Sequence, residues 1–108
     1  MITDIQAQEL CELIKTNKDG LELIDVREAS EYDEMHVKCA KSIPMSEMQA
    51  RIGEIDWSKD VVLMCHSGGR SKYLCNIISA SMGKSLKNLN NGITGFSKEG
   101  DVNLLIKK

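Results

Sequence analysis

The sequence predicts an α/β domain with a mainly parallel sheet, on the strength of three observations. Short runs of branched aliphatic residues alternate with segments whose apolar residues recur at helical spacing. One run, "VVLM" at 61–64, is apolar without alternation, which is typical of a strand covered on both faces. The length of 108 residues suits a single compact domain over residues 1–108 with its own core.

The N-terminal segment is predicted to be a helix. Thr3 and Gln6 have the spacing of a capping box, and apolar residues follow at roughly helical spacing. "KDG" at 18–20 ends this helix. The next run, "LELIDV" at 21–26, is rich in branched aliphatic residues and is predicted to be a short strand.

Two more helices and a strand are predicted before the "VVLM" run. Ser30 is placed to cap a short helix around "SEYDEM". "AKSIP" is predicted to be a brief strand that ends at Pro44. Ser46 and Gln49 repeat the capping-box spacing and predict a helix that continues to about Ile55.

The C-terminal part continues the alternation. After a loop with two glycines, "SKYLCNIISASM" predicts a helix with Tyr73, Leu74, Ile77 and Ile78 on one face and Gly83 as its stop. "SLKNL" is a weaker strand, "NNG" a turn, and "ITGFSKEG" a short helix or turn. The tail "DVNLLIKK" has no clear pattern.

Composition narrows the class of function. The net charge of −2 and the lack of a long basic run argue against nucleic acid or a membrane as the partner. The first ten residues lack the features of a signal peptide, and no apolar stretch is long enough to span a membrane, so we expect a cytoplasmic protein. The four cysteines have no metal-ligand spacing and are expected to be free thiols, with no metal bound.

The segment "MCHSGGRS" at 64–71 has the properties of an anion-binding loop. Cys65 stands where a buried strand ends and before the next helix begins, which is where parallel sheets bind ligands. Gly68 and Gly69 permit positive φ angles and close backbone approach, and the helix adds the positive end of its dipole. The residues expected to bind a substrate through this loop are His66, Ser67, Gly68, Gly69, Arg70 and Ser71.

Cys65 is therefore predicted to be a catalytic thiolate. Backbone amides and a helix dipole lower the pKa of a cysteine below its usual value of about 8.5. Arg70 supplies a planar fork of donors for an oxyanion, or alternatively closes the loop by bonding carbonyl groups. The other interpretation is an inert core thiol beside a tight turn, and the coincidence of strand end, glycines, arginine and helix start favours function.

Four segments of the chain resemble the rhodanese family. "CHSGGRS" is similar to its active-site loop, "LIDVREASEY" to its Asp-Val-Arg…Glu-Tyr segment, "MHVKCAKSIP" to its Gly-His-Ile…Asn-Ile-Pro segment, and "NNGITGF" to its closing Gly-Gly…Gly-Trp segment. The resemblance implies a five-stranded parallel sheet flanked by helices on both faces. The departures from the family's usual residues, which bear on packing and partner choice more than on chemistry, are Met35, Cys39, Ser42, Asn91 and Phe96.

The resemblance also implies a sulfurtransferase. Cys65 would attack the outer sulfur of a small sulfur-containing anion, such as thiosulfate, polysulfide or a persulfide, and become Cys65–S–S⁻. A thiol, a protein thiol or cyanide would then remove that sulfur. The amides of residues 66–71 would hold the persulfide, and the scheme needs neither a metal nor an organic cofactor.

Residues near the loop are given supporting roles. Asp25 either reaches the loop from a neighbouring strand or caps the turn that follows it. Arg27 and Glu31 are expected to tie that turn to the adjoining helix. His66 is expected to add polarity at the rim rather than to act as a base, and His36 is expected to be structural.

Of the remaining candidate residues, two have alternative interpretations and two are expected to have packing roles. Cys39 is either a resolving cysteine or a buried small hydrophobe, and Cys75 is expected in the core. Lys72 either adds positive potential near the site or is simply solvated, and Trp57 is expected to pack in a loop.

Two other classes of function compete with the sulfurtransferase. A cysteine phosphatase or an arsenate reductase would also use a thiolate in an amide cradle, but cysteine phosphatases have five residues between cysteine and arginine. Only four residues separate Cys65 from Arg70. The second alternative is a non-catalytic rhodanese-like module, or a sulfur carrier that serves one protein partner. The sequence does not indicate an oligomeric state.

Overall fold

A computed structural model describes residues 2–108, which form seven strands and five α-helices. The strands are β1 (Ile2–Ile5), β2 (Leu21–Asp25), β3 (Met35–Val37), β4 (Lys41–Ser42), β5 (Asp60–Met64), β6 (Leu86–Leu89) and β7 (Leu105–Lys107). The helices are α1 (Ala7–Asn17), α2 (Ala29–Glu34), α3 (Met48–Arg51), α4 (Gly69–Met82) and α5 (Gly92–Glu99). Short 3-10 turns join several of these elements.

The main sheet of the described residues has five parallel strands in the spatial order β1-β6-β5-β2-β4. Strands β3 and β7 pair antiparallel in a separate two-stranded sheet. The patternless tail therefore ends in a strand, and Met35 belongs to β3 rather than to a helix. The predicted α/β class with a five-stranded parallel sheet is confirmed.

Each face of the main sheet carries its own core. Successive strand residues point to opposite faces, so Leu23 packs with α1 and α5, while Ile24 packs with α3 and α4. In β5, Val62 and Met64 belong to the first core, and Val61 and Leu63 belong to the second. Coverage on both faces explains why the "VVLM" run is apolar throughout.

The predicted start of the first helix is wrong. Residues 2–5 form β1 at the edge of the sheet, where they pair in parallel with β6. Helix α1 begins at Ala7, and the N–H of Gln6 donates to Glu9 at 3.1 Å. The Thr3–Gln6 spacing is therefore not a capping box. Pairing with β6 satisfies the backbone of this segment and buries Ile5.

Two further helix starts also differ from the prediction. Helix α2 begins one residue before Ser30, and the N–H of Glu28 donates to Glu31 at 3.0 Å. The continuous helix expected after Ser46 is wrong, because that segment is a 3-10 turn (Met45–Glu47), the single turn α3 and a second 3-10 turn (Ile52–Glu54).

Helix α4 buries a different stripe from the one predicted. Its buried residues are Ser71, Leu74, Cys75 and Ile78, which have the i, i+3, i+4, i+7 spacing of one helical face. Tyr73 and Ile77 lie on the neighbouring stripe and are 60% and 44% exposed. The helix ends at Gly83 as predicted, with a φ of 65°.

Gly92 allows α5 to dock on the loop that follows β5. The N–H groups of Ile93 and Thr94 donate to the carbonyls of Cys65 and His66, at 2.9 and 3.1 Å. Gly92 has a φ of +54°, and a Cβ on it would lie 2.6 Å from the carbonyl oxygen of His66 and closer still to that of Cys65. Only glycine permits this approach.

Replacing Gly92 by alanine should therefore destabilise the fold. A left-handed φ and a clash with two backbone carbonyls should cost about 2–4 kcal/mol of unfolding free energy, measured by urea denaturation. Gly53→Ala is the matched control, since a Cβ on Gly53 meets no atom of the described residues within 4 Å. The control should change stability by no more than about 1 kcal/mol. Equal stability of the two variants would contradict this account of the docking.

Candidate active site

Cys65 lies directly beyond the carboxyl end of β5, between the sheet and the N-terminus of α4. The residue is only 1% exposed and packs in the core formed by α3, α4 and the sheet. Strand β5 lies between β6 and β2 in the sheet, so the loop after Cys65 lies next to residues at the ends of both of these strands. The site therefore has the position that parallel sheets use for ligands.

The sulfur of Cys65 accepts hydrogen bonds from its own loop. The N–H of Gly68 lies 3.1 Å from Sγ, and the hydroxyl of Ser71 lies 3.4 Å from it. Burial raises the pKa of the thiol, but the hydroxyl of Ser71 and the backbone N–H groups of Ser71, Gly68 and Ser67 outweigh burial and lower the pKa of Cys65 below its ordinary value. These donors favour the thiolate.

Ser71 links the sulfur to the neighbouring strand. Its hydroxyl is fully buried and lies within hydrogen-bond distance of Sγ, of the Gly68 carbonyl at 3.2 Å, and of the Asn88 side-chain oxygen. Asn88 in turn donates to Asp4 at 3.3 Å. A hydroxyl carries one hydrogen, so Ser71 can donate to only one of these three acceptors at a time. When the sulfur is ionised it is the strongest acceptor of the three, because charged acceptors form stronger hydrogen bonds.

Asn88 is a site residue that sequence reasoning missed. It is 3% exposed in the middle of β6 and faces the buried hydroxyl of Ser71. A polar residue inside the strand "SLKNL" was the available signal, since a buried amide needs partners. The part of the chain that the structure describes contains no buried side-chain polar atom without a hydrogen-bond partner.

The two glycines of the loop differ in role. Gly68 has a φ of +103°, and a Cβ on it would lie 3.2 Å from the backbone nitrogen of Asn91. Gly69 is the first residue of α4 and does not have a positive φ. Of the two glycines that permit a positive φ, only Gly68 uses one, because Gly69 already belongs to the first turn of α4.

His66 and Ser67 form the exposed rim of the loop. The carbonyl of His66 accepts from Thr94 on α5. Ser67, together with α5 residues, lines a cleft of about 290 Å³ beside the loop. Together with the exposed Gly69, these residues form the solvent-facing side of the loop, whereas Cys65 and Gly68 are buried.

The side chain of Arg70 bonds to a carboxylate from another element. Its Nη1 and Nη2 atoms donate to the two oxygens of Glu31 on α2, at 3.0 and 3.1 Å. The arginine therefore does not close the loop through carbonyls, which was one of the two expectations. Hydrogen bonds from Arg70 lower the pKa of Glu31 to about 2 against the opposing effect of burial, and a bond from the N–H of Glu28 adds to them.

Asp25 and Arg27 form a buried pair next to the loop. The Asp25 carboxylate accepts the backbone N–H of Arg27 at 3.1 Å and its Nη2 at 2.7 Å, so Asp25 caps the turn after β2. Arg27 also donates to the carbonyls of Glu31 and Met35, and thereby joins this turn to α2 and β3. Asp25 pairs in register with Met64, the residue before Cys65.

The other thiols differ chemically from Cys65. Burial raises the pKa of Cys75 to about 12, and burial also raises the pKa of Cys39. Cys39 packs against the core on the opposite face of the sheet from Cys65. The sulfur of Cys11 accepts the N–H of Asp101 at 3.2 Å.

The remaining candidates have structural contacts. The ring of His36 stacks on Tyr32, with centroids 3.9 Å apart. Lys72 forms an ion pair with Asp4 at 2.9 Å. Trp57 packs against the core that holds Cys65, and the ammonium group of Lys84 lies 5.7 Å from the centre of its ring.

Neither a metal cluster nor a membrane-spanning helix is found within residues 2–108. No group of three or more His, Cys, Asp or Glu side chains in that range is placed to hold a metal ion. No helix in the same range is both long enough and apolar enough to cross a membrane.

Three curated proteins of similar sequence have names that refer to sulfur transfer or sulfur carriage. A sulfurtransferase of Allochromatium vinosum is 29% identical over 100 residues, which cover 93% of this chain and 92% of that protein. The putative sulfurtransferase YtwF of Bacillus subtilis is 31% identical, over 91% and 93% of the two chains. The putative sulfur carrier protein YrkF of the same organism is 35% identical over 54 residues, which cover half of this chain and 29% of that protein.

Solved structures agree in fold, and a family model matches most of the chain. A rhodanese-like domain protein of Staphylococcus aureus superimposes with a TM-score of 0.81 over 98% of both chains, at 23% identity. The rhodanese-like domain of Anabaena Alr3790 has a TM-score of 0.85 over all of this chain and 81% of that one, at 16% identity. The model of the rhodanese-like domain matches residues 6–99. The chain therefore belongs to the rhodanese-like domain family.

Proposed function

We propose that this protein is a sulfurtransferase that carries sulfane sulfur on Cys65. One observation supports the proposal above the others: backbone N–H groups and a hydroxyl converge on the buried sulfur of Cys65 and lower the pKa of its thiol. A low pKa makes a cysteine a nucleophile at neutral pH. The loop's N–H groups also suit a persulfide anion, because its charge lies on the outer sulfur, one bond beyond Sγ and still next to this loop.

In the first half-reaction the Cys65 thiolate attacks the outer sulfur of the donor. A new S–S bond forms to Cys65 and the donor's own S–S bond breaks. With thiosulfate, sulfite leaves with the electron pair of that bond; with a persulfide R–S–S⁻, the thiolate R–S⁻ leaves. The negative charge on Cys65–S–S⁻ is then held by the amides of the loop and by the positive end of α4.

In the second half-reaction an acceptor removes the sulfur. A thiolate attacks the terminal sulfur of Cys65–S–S⁻, leaves as a persulfide, and returns the Cys65 thiolate. Cyanide reacts in the same way and leaves as thiocyanate. The two half-reactions share one covalent intermediate, so ping-pong kinetics are expected. The residues proposed to bind substrate are His66, Ser67, Gly68, Gly69, Arg70 and Ser71, supported by Asp25 and Arg27.

The partners proposed follow from this chemistry. The donor is a small sulfur-containing anion, and the acceptor is cyanide, a small thiol or a protein thiol. Four free cysteines among the described residues fit a reducing compartment, so we place the protein in the cytoplasm. Phosphate chemistry is disfavoured, because four residues between Cys65 and Arg70 form a smaller ring than the five-residue loop of cysteine phosphatases.

The first prediction concerns the nucleophile. After incubation with thiosulfate or a persulfide, the wild-type protein should gain one sulfur in intact-protein mass spectrometry and lose it on addition of cyanide. Cys65→Ser should gain none, because a hydroxyl is not ionised at neutral pH. Cys39→Ser is the matched control and should gain the sulfur as the wild type does, since burial disfavours its thiolate.

Three outcomes would change the assignment. Sulfur uptake by Cys65→Ser would contradict the choice of nucleophile. A loaded protein that releases sulfur to neither thiols nor cyanide would indicate a sulfur carrier that serves a single protein partner. No uptake by a folded wild-type protein would favour a non-catalytic binding module.

The second prediction concerns the hydroxyl of Ser71. The rate of sulfur uptake should fall as the pH falls through the lowered pKa of Cys65, because only the thiolate reacts. Ser71→Ala removes a donor to the anionic sulfur and should shift this midpoint to higher pH, with a rate loss of about tenfold below it. The measurement is uptake rate against pH, beside a check of folding by circular dichroism.

Ser81→Ala serves as the control, because Ser81 lies on the same helix and its hydroxyl bonds the carbonyl of Ile77. It should leave the midpoint unchanged. A folded Ser71→Ala protein with the wild-type midpoint would show that the backbone amides alone set the pKa of Cys65.

A further inference from the structure

The carboxylate of Glu31 occupies the donor fork of Arg70. Both carboxylate oxygens are bound, at 3.0 and 3.1 Å, which is the bidentate geometry that an oxyanion ligand would adopt. The residues are 39 apart in sequence, so the fold rather than local helix geometry brings them together. Their side chains are 38% and 33% exposed, and the pair is therefore screened less than one on the open surface.

Glu31 is held in this position by its own helix. Its Oε1 also accepts the backbone N–H of Glu28 at the start of α2, at 3.0 Å. Its main-chain carbonyl accepts from Arg27 at 3.3 Å. Two independent anchors therefore present the carboxylate to Arg70, and its negative charge is fixed over the neutral pH range because its pKa lies at about 2, set chiefly by the hydrogen bonds from Arg70.

The two arginines beside the loop are both already neutralised. Arg27 is paired with the buried Asp25 at 2.7 Å. Arg70 is paired with Glu31, and hydrogen bonds to Glu31 raise the pKa of Arg70 against burial, with smaller contributions from the charges of Glu31, Cys65 and Asp25. Arg70 is five residues from Cys65 in the same loop, and its fork already holds the Glu31 carboxylate.

We propose that Glu31 is a specificity-determining residue that disfavours oxyanion donors. This inference rests on the proposed sulfurtransferase function. Thiosulfate has to displace the Glu31 carboxylate to reach the guanidinium group of Arg70. The two negative charges of thiosulfate are also repelled by the negative charge of Glu31. A persulfide monoanion R–S–S⁻ carries its charge on sulfur and needs only the N–H groups of the loop. The site therefore selects persulfide donors over thiosulfate.

The two donors react by the same step and differ in what leaves. The Cys65 thiolate forms an S–S bond to the outer sulfur in each case. Thiosulfate releases sulfite, a dianion that develops its charge on oxygen, whereas the persulfide releases R–S⁻, a monoanion with its charge on sulfur. The oxygens of sulfite are the groups that a free Arg70 fork would stabilise.

Glu31→Gln tests the proposal. Glutamine can still accept the N–H of Glu28, so α2 keeps its capping contact. The measurement is the single-turnover rate of sulfur uptake against donor concentration, with thiosulfate and with the persulfide of 2-mercaptoethanol. The half-saturating concentration of thiosulfate should fall about tenfold, and that of the persulfide by no more than about threefold.

Two companion variants make the result specific. Glu34→Gln removes the same charge from an exposed position of the same helix and should leave both donors at wild-type values. In the double variant Glu31→Gln, Arg70→Gln, the half-saturating concentration of thiosulfate should not fall, because no guanidinium group is left to bind the donor's oxygens.

The outcomes separate the inference from the proposed function. Suppose that wild type takes up sulfur but the ratio of the half-saturating concentrations of thiosulfate and persulfide is the same in Glu31→Gln as in wild type. That result overturns the role of Glu31 and leaves the sulfurtransferase proposal standing. An equal fall in the half-saturating concentration of thiosulfate in Glu31→Gln and Glu34→Gln also overturns the role of Glu31, because the change would then reflect net charge alone. Failure of every donor to load wild-type Cys65 overturns the sulfurtransferase proposal, and with it the role of Glu31.

Discussion

The loop after β5 presents two of its carbonyl groups to α5 and several N–H groups to one sulfur, and the site depends on this arrangement. The carbonyls of Cys65 and His66 are bound by the N-terminus of α5, which approaches closely because Gly92 has no side chain. The backbone is thus satisfied on its outer side. Its remaining donors, from Ser67, Gly68 and Ser71, are free to face the sulfur of Cys65, where they lower the pKa of the thiol.

The loop and its N–H groups are positioned by two separate hydrophobic cores, one on each face of the sheet, which have no residue in common. The core under α1 and α5 fixes the position from which α5 docks, and the core under α3 and α4 holds Cys65 itself. The loop lies between the two helices that complete it, α4 and α5. A shift of either helix would move donors away from the sulfur or expose the carbonyls of the loop, so packing on both faces is coupled to the chemistry at one strand end.

Local patterns in the sequence predicted the strand "VVLM", the cysteine at its end, the glycine turn and the helix after it, because each depends on neighbours in the chain. The strand at residues 2–5 was not predictable in this way, since its partner β6 lies more than eighty positions away. The ion pair between Glu31 and Arg70 depends on the docking of α2 against the loop. Asn88 was visible as a polar residue in a strand, but its partner Ser71 was not.

A crystal structure of the protein after loading with a persulfide donor would test the central claim most directly, because the claim concerns where the transferred sulfur and its charge reside. The account predicts one additional sulfur bonded to Sγ of Cys65, with its outer atom within hydrogen-bond distance of N–H groups from residues 66–71. Extra density on another cysteine, or an outer sulfur on Cys65 that points away from the loop amides, would contradict it.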